Sequence, residues 1–274
     1  IHFPYFSVPV LYKKPYVITI HDLIFHHFAS GQASTLPLWA LGFKVLAYRF
    51  VIKNAARRSK KIIAVSNFTK NDIMDTLKID KNKIEVIYEA ADDFRGVSAK
   101  SLNISNYFLY VGNVYPHKNV GLLLEAFKIL SKDDPNLKLV FVGKEDFLYK
   151  KLKDHVKKMR DEGKIIFFDN VTDEKLSGLY KKAICLVRPS LMEGFSLPPL
   201  EAMENECLVL ASDIPVHREI FENSITYFDQ FKVDDILQKM KYVLGLSYDE
   251  KEKLIKKETN KTKAPTNPKV TKIA

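Results

Sequence analysis

Cysteine is almost missing from this chain: 274 residues contain two, Cys185 and Cys207. Both stand in apolar, strand-like runs, which excludes a disulfide framework and reads as reduced, buried thiols of a cytoplasmic protein. An uninterrupted apolar run of membrane-spanning length is also lacking, because Lys44 and Arg49 break the stretch Leu36 to Ile52. Metal ligands are sparse. His21, His26 and His27 form a His-x4-His-His string without a cysteine or clustered acid, a poor metal site, so neither a metal nor a cofactor is expected. No nucleic-acid module is recognisable, and the charge does not call for one. Of the formal +10, residues 251–274 supply eight lysines against two glutamates, or +6, leaving +4 for the rest. Nucleic acid is therefore not an expected partner.

What is present is apolar sequence in short regular pieces. A hydrophobic content of 46% over 274 residues is ample for two cores of ordinary size. Strand-length runs at Tyr107 to Val111, Leu139 to Val142, Lys164 to Phe168, Ile184 to Val187 and Cys207 to Ala211 alternate with helical stretches. Those helices are predicted at Val120 to Leu130, Asp146 to Arg160, Asp173 to Lys182 and Leu197 to Asn205. That βαβ rhythm predicts an α/β protein with a doubly wound parallel sheet. Earlier in the chain, Pro15 to Leu23 is a strand ending in His21-Asp22, and Ile62 to Val65 is a strand followed by the N-cap Ser66 and a helix. Ile84 to Glu89 is a further strand, and Phe94 to Asn106 reads as a linker.

The most informative string is Glu193-Gly194-Phe195-Ser196-Leu197-Pro198-Pro199-Leu200-Glu201. With Ser196 as N-cap and prolines in the first turn, Glu193 lies in a loop after a buried strand and Glu201 about one turn into a helix. In a parallel sheet such loops stand at the carboxyl ends of the strands, where ligands bind. An ionised carboxylate accepts two hydrogen bonds at once, which suits vicinal sugar hydroxyls. The opening N–H groups of the helix, from Gly194 to Leu197, favour phosphate. A solvated helix entrance, with both carboxylates merely complementing the dipole, is the plainer reading of the pair alone.

Together with Ala202-Met203, this segment resembles the E-x7-E motif of retaining glycosyltransferases of family 4, whose fold is GT-B. The run Tyr107 to Asn119 resembles that family's first donor-domain strand, where Gly112 and a following lysine, here Lys118, approach the donor diphosphate. An exposed lysine at a helix start is the alternative for Lys118. Asn113 and His117 replace an arginine that relatives often carry after the glycine or before the lysine, so phosphate contact rests on Lys118. The resemblance places the loops after Val142 and Phe168, the latter with Val171, beside the nucleotide base. It reads Asp213 to Glu219 as a closing loop, and His21 as a histidine that faces the donor's sugar and phosphate. A lone histidine at a strand end is otherwise more often structural.

The resemblance thus implies two Rossmann-like doubly wound domains facing a cleft. Residues 1–98 would be a partial acceptor-side domain, 99–245 the donor-binding domain and 246–274 a basic polar tail. Because the chain opens at Ile1 and not at methionine, a fragment with an incomplete first domain is expected. The implied activity is metal-independent, retaining hexosyl transfer from a nucleotide sugar to a glycan or lipid-linked acceptor in bacterial polysaccharide assembly, GDP-mannose being favoured over UDP-glucose. Catalytic candidates are His21, Lys118 and Glu193. Donor-binding candidates are Gly112, Asn113, Lys118, Val171, Glu193, Gly194, Phe195, Ser196, Leu197 and Glu201. A different enzyme on the same fold, or a donor-binding module without turnover, are the rival readings. For Leu36 to Ile52, followed by Lys53, Arg57, Arg58, Lys60 and Lys61, two readings stand: a core helix with a basic end, or a peripheral contact with an anionic membrane.

Overall fold

The computed structural model describes residues 1–28, 36–91 and 103–263. Its contacts divide into two units. One comprises residues 1–90 together with 192–195, and the other, among described residues, 91, 103–191 and 196–263.

In the first unit, strands β1 (His2–Phe3), β2 (Val17–Ile20), β3 (Lys61–Ala64) and β4 (Ile84–Val86) pair in parallel in that order. The connections are α1 (Ile24–His27), the long α2 (Leu38–Arg58) and α3 (Asn67–Leu77). Parallel strands covered on both faces need apolar side chains on both. Ile18, Ile20, Ile62 and Ala64 are accordingly fully buried, and Ile52, Ala55 and Ala56 of α2 and Ile73 and Leu77 of α3 complete the core. Ser66 caps α3 as the sequence predicts, its side chain accepting from Thr69 N at 3.0 Å.

The second unit is a six-stranded parallel sheet. Its strands are β5 (Tyr107–Val111), β6 (Lys138–Val142), β7 (Ile165–Phe168), β8 (Leu186–Arg188), β9 (Val209–Ser212) and β10 (Thr226–Phe228), in the order β10-β9-β8-β5-β6-β7. Helices α4 (Val120–Asp133), α5 (Phe147–His155), α6 (Lys157–Asp161), α7 (Asp173–Lys182), α8 (Leu197–Glu204), α9 (Pro215–Phe221) and α10 (Val233–Gly245) connect or follow them, and α11 (Tyr248–Lys263) ends the described chain. Val120, Leu123, Leu124, Phe127 and Leu130 recur at helical spacing and are the buried stripe of α4. They meet Phe108, Tyr110, Leu139 and Phe141 in the core. The chain runs outward from β5 through β6 to β7, then crosses back to β8 and continues to β10. The strand order therefore reverses between β5 and β8, the switch point at which such sheets open a crevice.

Several predicted elements are corrected. The helix expected over Asp146 to Arg160 breaks at Val156 into α5 and α6. Asp213 to Glu219, expected as a loop, is largely the helix α9, with Pro215 at its first position where a missing N–H costs nothing. Much of the stretch expected as a polar tail is α11, whose Leu254 and Ile255 pack on the core. Most of the expected linker, Phe94 to Asn106, lies outside the described residues.

Candidate functional site

Two loops leave the sheet at the switch point, one after β5 and one after β8. The β5 loop begins at Gly112, whose φ of +131° is a conformation that L side chains rarely adopt. Its amide donates to Val142 O at 2.9 Å and its carbonyl accepts the Tyr149 hydroxyl at 2.8 Å. The Tyr110 hydroxyl donates to Asn113 O, and Asn113 itself is exposed. Lys118 ends a short 3-10 turn, Pro116–Lys118, and is only 7% exposed. The alternative of an exposed lysine is thereby overturned, for a cation seated there has been taken out of water. The amide of Leu191, in the β8 loop, donates to His117 O at 2.8 Å and ties the two loops together.

Glu201 is half-buried in α8, and the Tyr180 hydroxyl of α7 donates to its Oε2 at 2.8 Å. Burial, chiefly, and this carboxylate push the Tyr180 hydroxyl pKa far up, so Tyr180 remains a donor. Ser196 stands at the N-cap position, but with φ +82° and ψ +76° its side chain makes no cap bond. The expected side-chain cap is therefore absent, since capping needs extended backbone at this position. Leu197 opens α8, and Val171 lies half-buried between β7 and α7.

Glu193, Gly194 and Phe195 group with the first unit. Glu193 is 5% exposed, which does not fit a solvated helix entrance. The carbonyl of Gly194 accepts from Ser66 Oγ at 2.7 Å and Thr69 Oγ1 at 3.2 Å, both buried. A Cβ on Gly194 would lie 2.0 Å from the carbonyl oxygen of His21, so no larger residue fits. The ring of Phe195 meets Tyr88 at 5.9 Å.

His21 is held at both nitrogens, Nδ1 2.7 Å from Glu89 Oε1 and Nε2 3.0 Å from Pro4 O. Both partners are acceptors, so only the imidazolium can donate to both. The bond to Glu89 raises the pKa above the usual histidine value, against the effect of burial. This is the arrangement of a structural histidine as much as of a reacting one.

Three contributors were missed by the sequence reading. Tyr180 and Tyr149 are helix residues that only the fold brings to Glu201 and Gly112. Arg188, 3% exposed, donates from Nη1 to Val111 O at 2.8 Å beside Gly112. Its signal was legible, an arginine at the end of the apolar run Cys185 to Val187, where a buried charge needs a reason. Among the described residues no group of three or more His, Cys, Asp or Glu side chains could hold a metal ion.

The family model described as glycosyl transferases group 1 matches residues 97–261, and that described as glycosyltransferase family 4 matches residues 1–94. The O-antigen chain mannosyltransferase RfbU of Salmonella typhimurium is 32% identical over 221 residues, which are 81% of this chain and 58% of RfbU. This chain spans 58% of the length of RfbU and 62% of that of O-antigen chain mannosyltransferase B of Escherichia coli, less than two thirds of each. Among solved structures, sucrose-phosphate synthase of Thermosynechococcus elongatus aligns with a TM-score of 0.76 at 18% identity, over 97% of this chain and 69% of that one. Anabaena HepE in complex with UDP and glucose aligns with a TM-score of 0.69 at 16% identity, over 91% and 67%. The chain belongs to the glycosyl transferases group 1 family and has the parallel α/β sheets of the GT-B fold.

Proposed function

We propose that this chain moves a hexose from a nucleotide sugar to a glycan or lipid-linked acceptor with retention of configuration, in the assembly of a bacterial cell-surface polysaccharide. GDP-mannose is favoured as donor, in keeping with the name of RfbU, and UDP-glucose is the alternative. The observation that carries the reading is the Glu201 carboxylate, held by Tyr180 at the sheet's switch point in the same unit as Gly112 and Lys118. Glu201 would accept ribose hydroxyls and Glu193 sugar hydroxyls, each as a bidentate acceptor. Lys118 and the N–H groups opening α8 would stabilise the departing diphosphate, an electrostatic contribution that needs no metal ion. His21 would face the donor's sugar and phosphate, which requires it to give up Pro4 O. Residues 1–98 are assigned to the acceptor and 99–245 to the donor. A cytoplasmic location accords with the two free, buried thiols.

The test is the thermal unfolding midpoint with GDP, UDP, GDP-mannose and UDP-glucose. A ligand at a hundred times its dissociation constant adds about 2.7 kcal/mol of stability. One base should raise the midpoint of the wild type and leave Glu201→Ala unmoved; no response to any of the four would sink the reading. A donor-binding module without turnover is favoured by Asn113, where relatives often carry a cation. Donor binding without sugar release or transfer would decide for it.

A further inference from the structure

Helix α2 has two faces of opposite fate. One is fixed to the sheet through Ile52, Ala55 and Ala56, while Leu41 is buried and Tyr48 packs edge-on against Phe6 and Phe25. The other carries Trp39, Phe43, Leu46 and Phe50 at i, i+4, i+7 and i+11, one straight line along a helix. These four are 72%, 70%, 66% and 60% exposed. Lone exposed apolar residues are ordinary, but an aligned row of four large ones marks an interaction surface. The line continues at i+14 and i+18 with Lys53 and Arg57, both exposed, and Arg49 stands on its flank. The helix holds Lys44, Arg49, Lys53, Arg57 and Arg58 and no acidic residue.

We propose that this face of α2 docks on an anionic lipid bilayer, lying in the interface with the Trp39–Phe50 line among the acyl chains and Lys53, Arg57 and Arg49 at the headgroups. Charge chooses the occupant. A second copy of the chain would bring the same acid-free helix to the contact and leave its cations without counter-charges, whereas acidic headgroups supply them. At 21 residues α2 is long enough to span, yet its cations and its sheet-bound face keep it in the interface plane, and no helix among the described residues is long and apolar enough to cross a membrane. The inference does not depend on the donor or the acceptor.

The sequence supplies its own reporter, because Trp39 is the only tryptophan. The full chain would be titrated with vesicles of phosphatidylcholine alone and of phosphatidylcholine with about a quarter phosphatidylglycerol. Expected are a blue shift of Trp39 emission and co-sedimentation on the anionic vesicles alone, both weakened by salt. Phe43→Ser with Phe50→Ser should lower the vesicle partition about tenfold or more. Lys53→Gln with Arg57→Gln should abolish the preference for anionic lipid. All four substituted side chains are exposed, so unfolding midpoints should stay at the wild-type value and separate lost docking from lost fold. Unchanged emission on anionic vesicles would overturn the proposal. So would a blue shift that rises with protein concentration in the absence of lipid, which would give the face to a second copy.

Discussion

At the scale of single residues, the motif Glu193 to Glu201 was legible because its chemistry is local. A glycine, a cap-type residue and prolines in a first turn together mark a strand-to-helix corner. What surrounds the motif was not legible. Tyr180 precedes Glu201 by a strand and a loop, and nothing in its own helix marks it as a carboxylate partner. Ser196 misled for a related reason: serine is a good cap in extended backbone, and here the corner forces it left-handed. His21 carries a prediction at this scale. Its pKa is raised by the Glu89 bond, so its contribution to stability is complete below about pH 6.5, the ordinary histidine value, and is lost as pH rises through the higher folded value. Urea midpoints taken at about pH 6 and about pH 8 should therefore fall more in the wild type than in Glu89→Gln. Equal falls would mean that the ion pair does not form in solution.

At the scale of elements, strands were read well and helix ends less so. Buried parallel strands are near-continuous apolar runs bounded by glycine or polar residues, and Tyr107 to Val111 is visible as such. The break at Val156 has no comparable mark, since no glycine or proline stands there. Helix α11 was missed because its composition is that of a solvated tail, yet it packs on α8 and buries Glu258. The Glu258 Oε1 accepts from Val209 N at 3.4 Å, and burial pushes its carboxyl pKa well above the usual range. An acid shifted in this direction is kept neutral by the fold, so ionisation opposes folding increasingly as pH rises above about 4.5. Glu258→Gln should raise the calorimetric unfolding midpoint at about pH 8 and change it little at about pH 4.5. A variant less stable than the wild type at both pH values would show that the carboxyl is ionised and paired.

At the scale of the whole molecule, the class was readable because both units repeat one rule, a parallel strand followed by a covering helix. The face of α2 was not, because composition alone cannot say which side of an apolar helix meets a sheet. Cys185 and Cys207 are both enclosed in the second unit, and burial raises both thiol pKa values. A thiol-alkylating reagent can reach them only when the second unit opens, so their labelling rate is a clock for opening events that needs no substitution. A nucleotide bound to the closed form should slow that clock by the factor one plus the ratio of its free concentration to its dissociation constant. Pulse alkylation read by intact mass would then yield opening free energy and donor affinity from the same two atoms of sulfur.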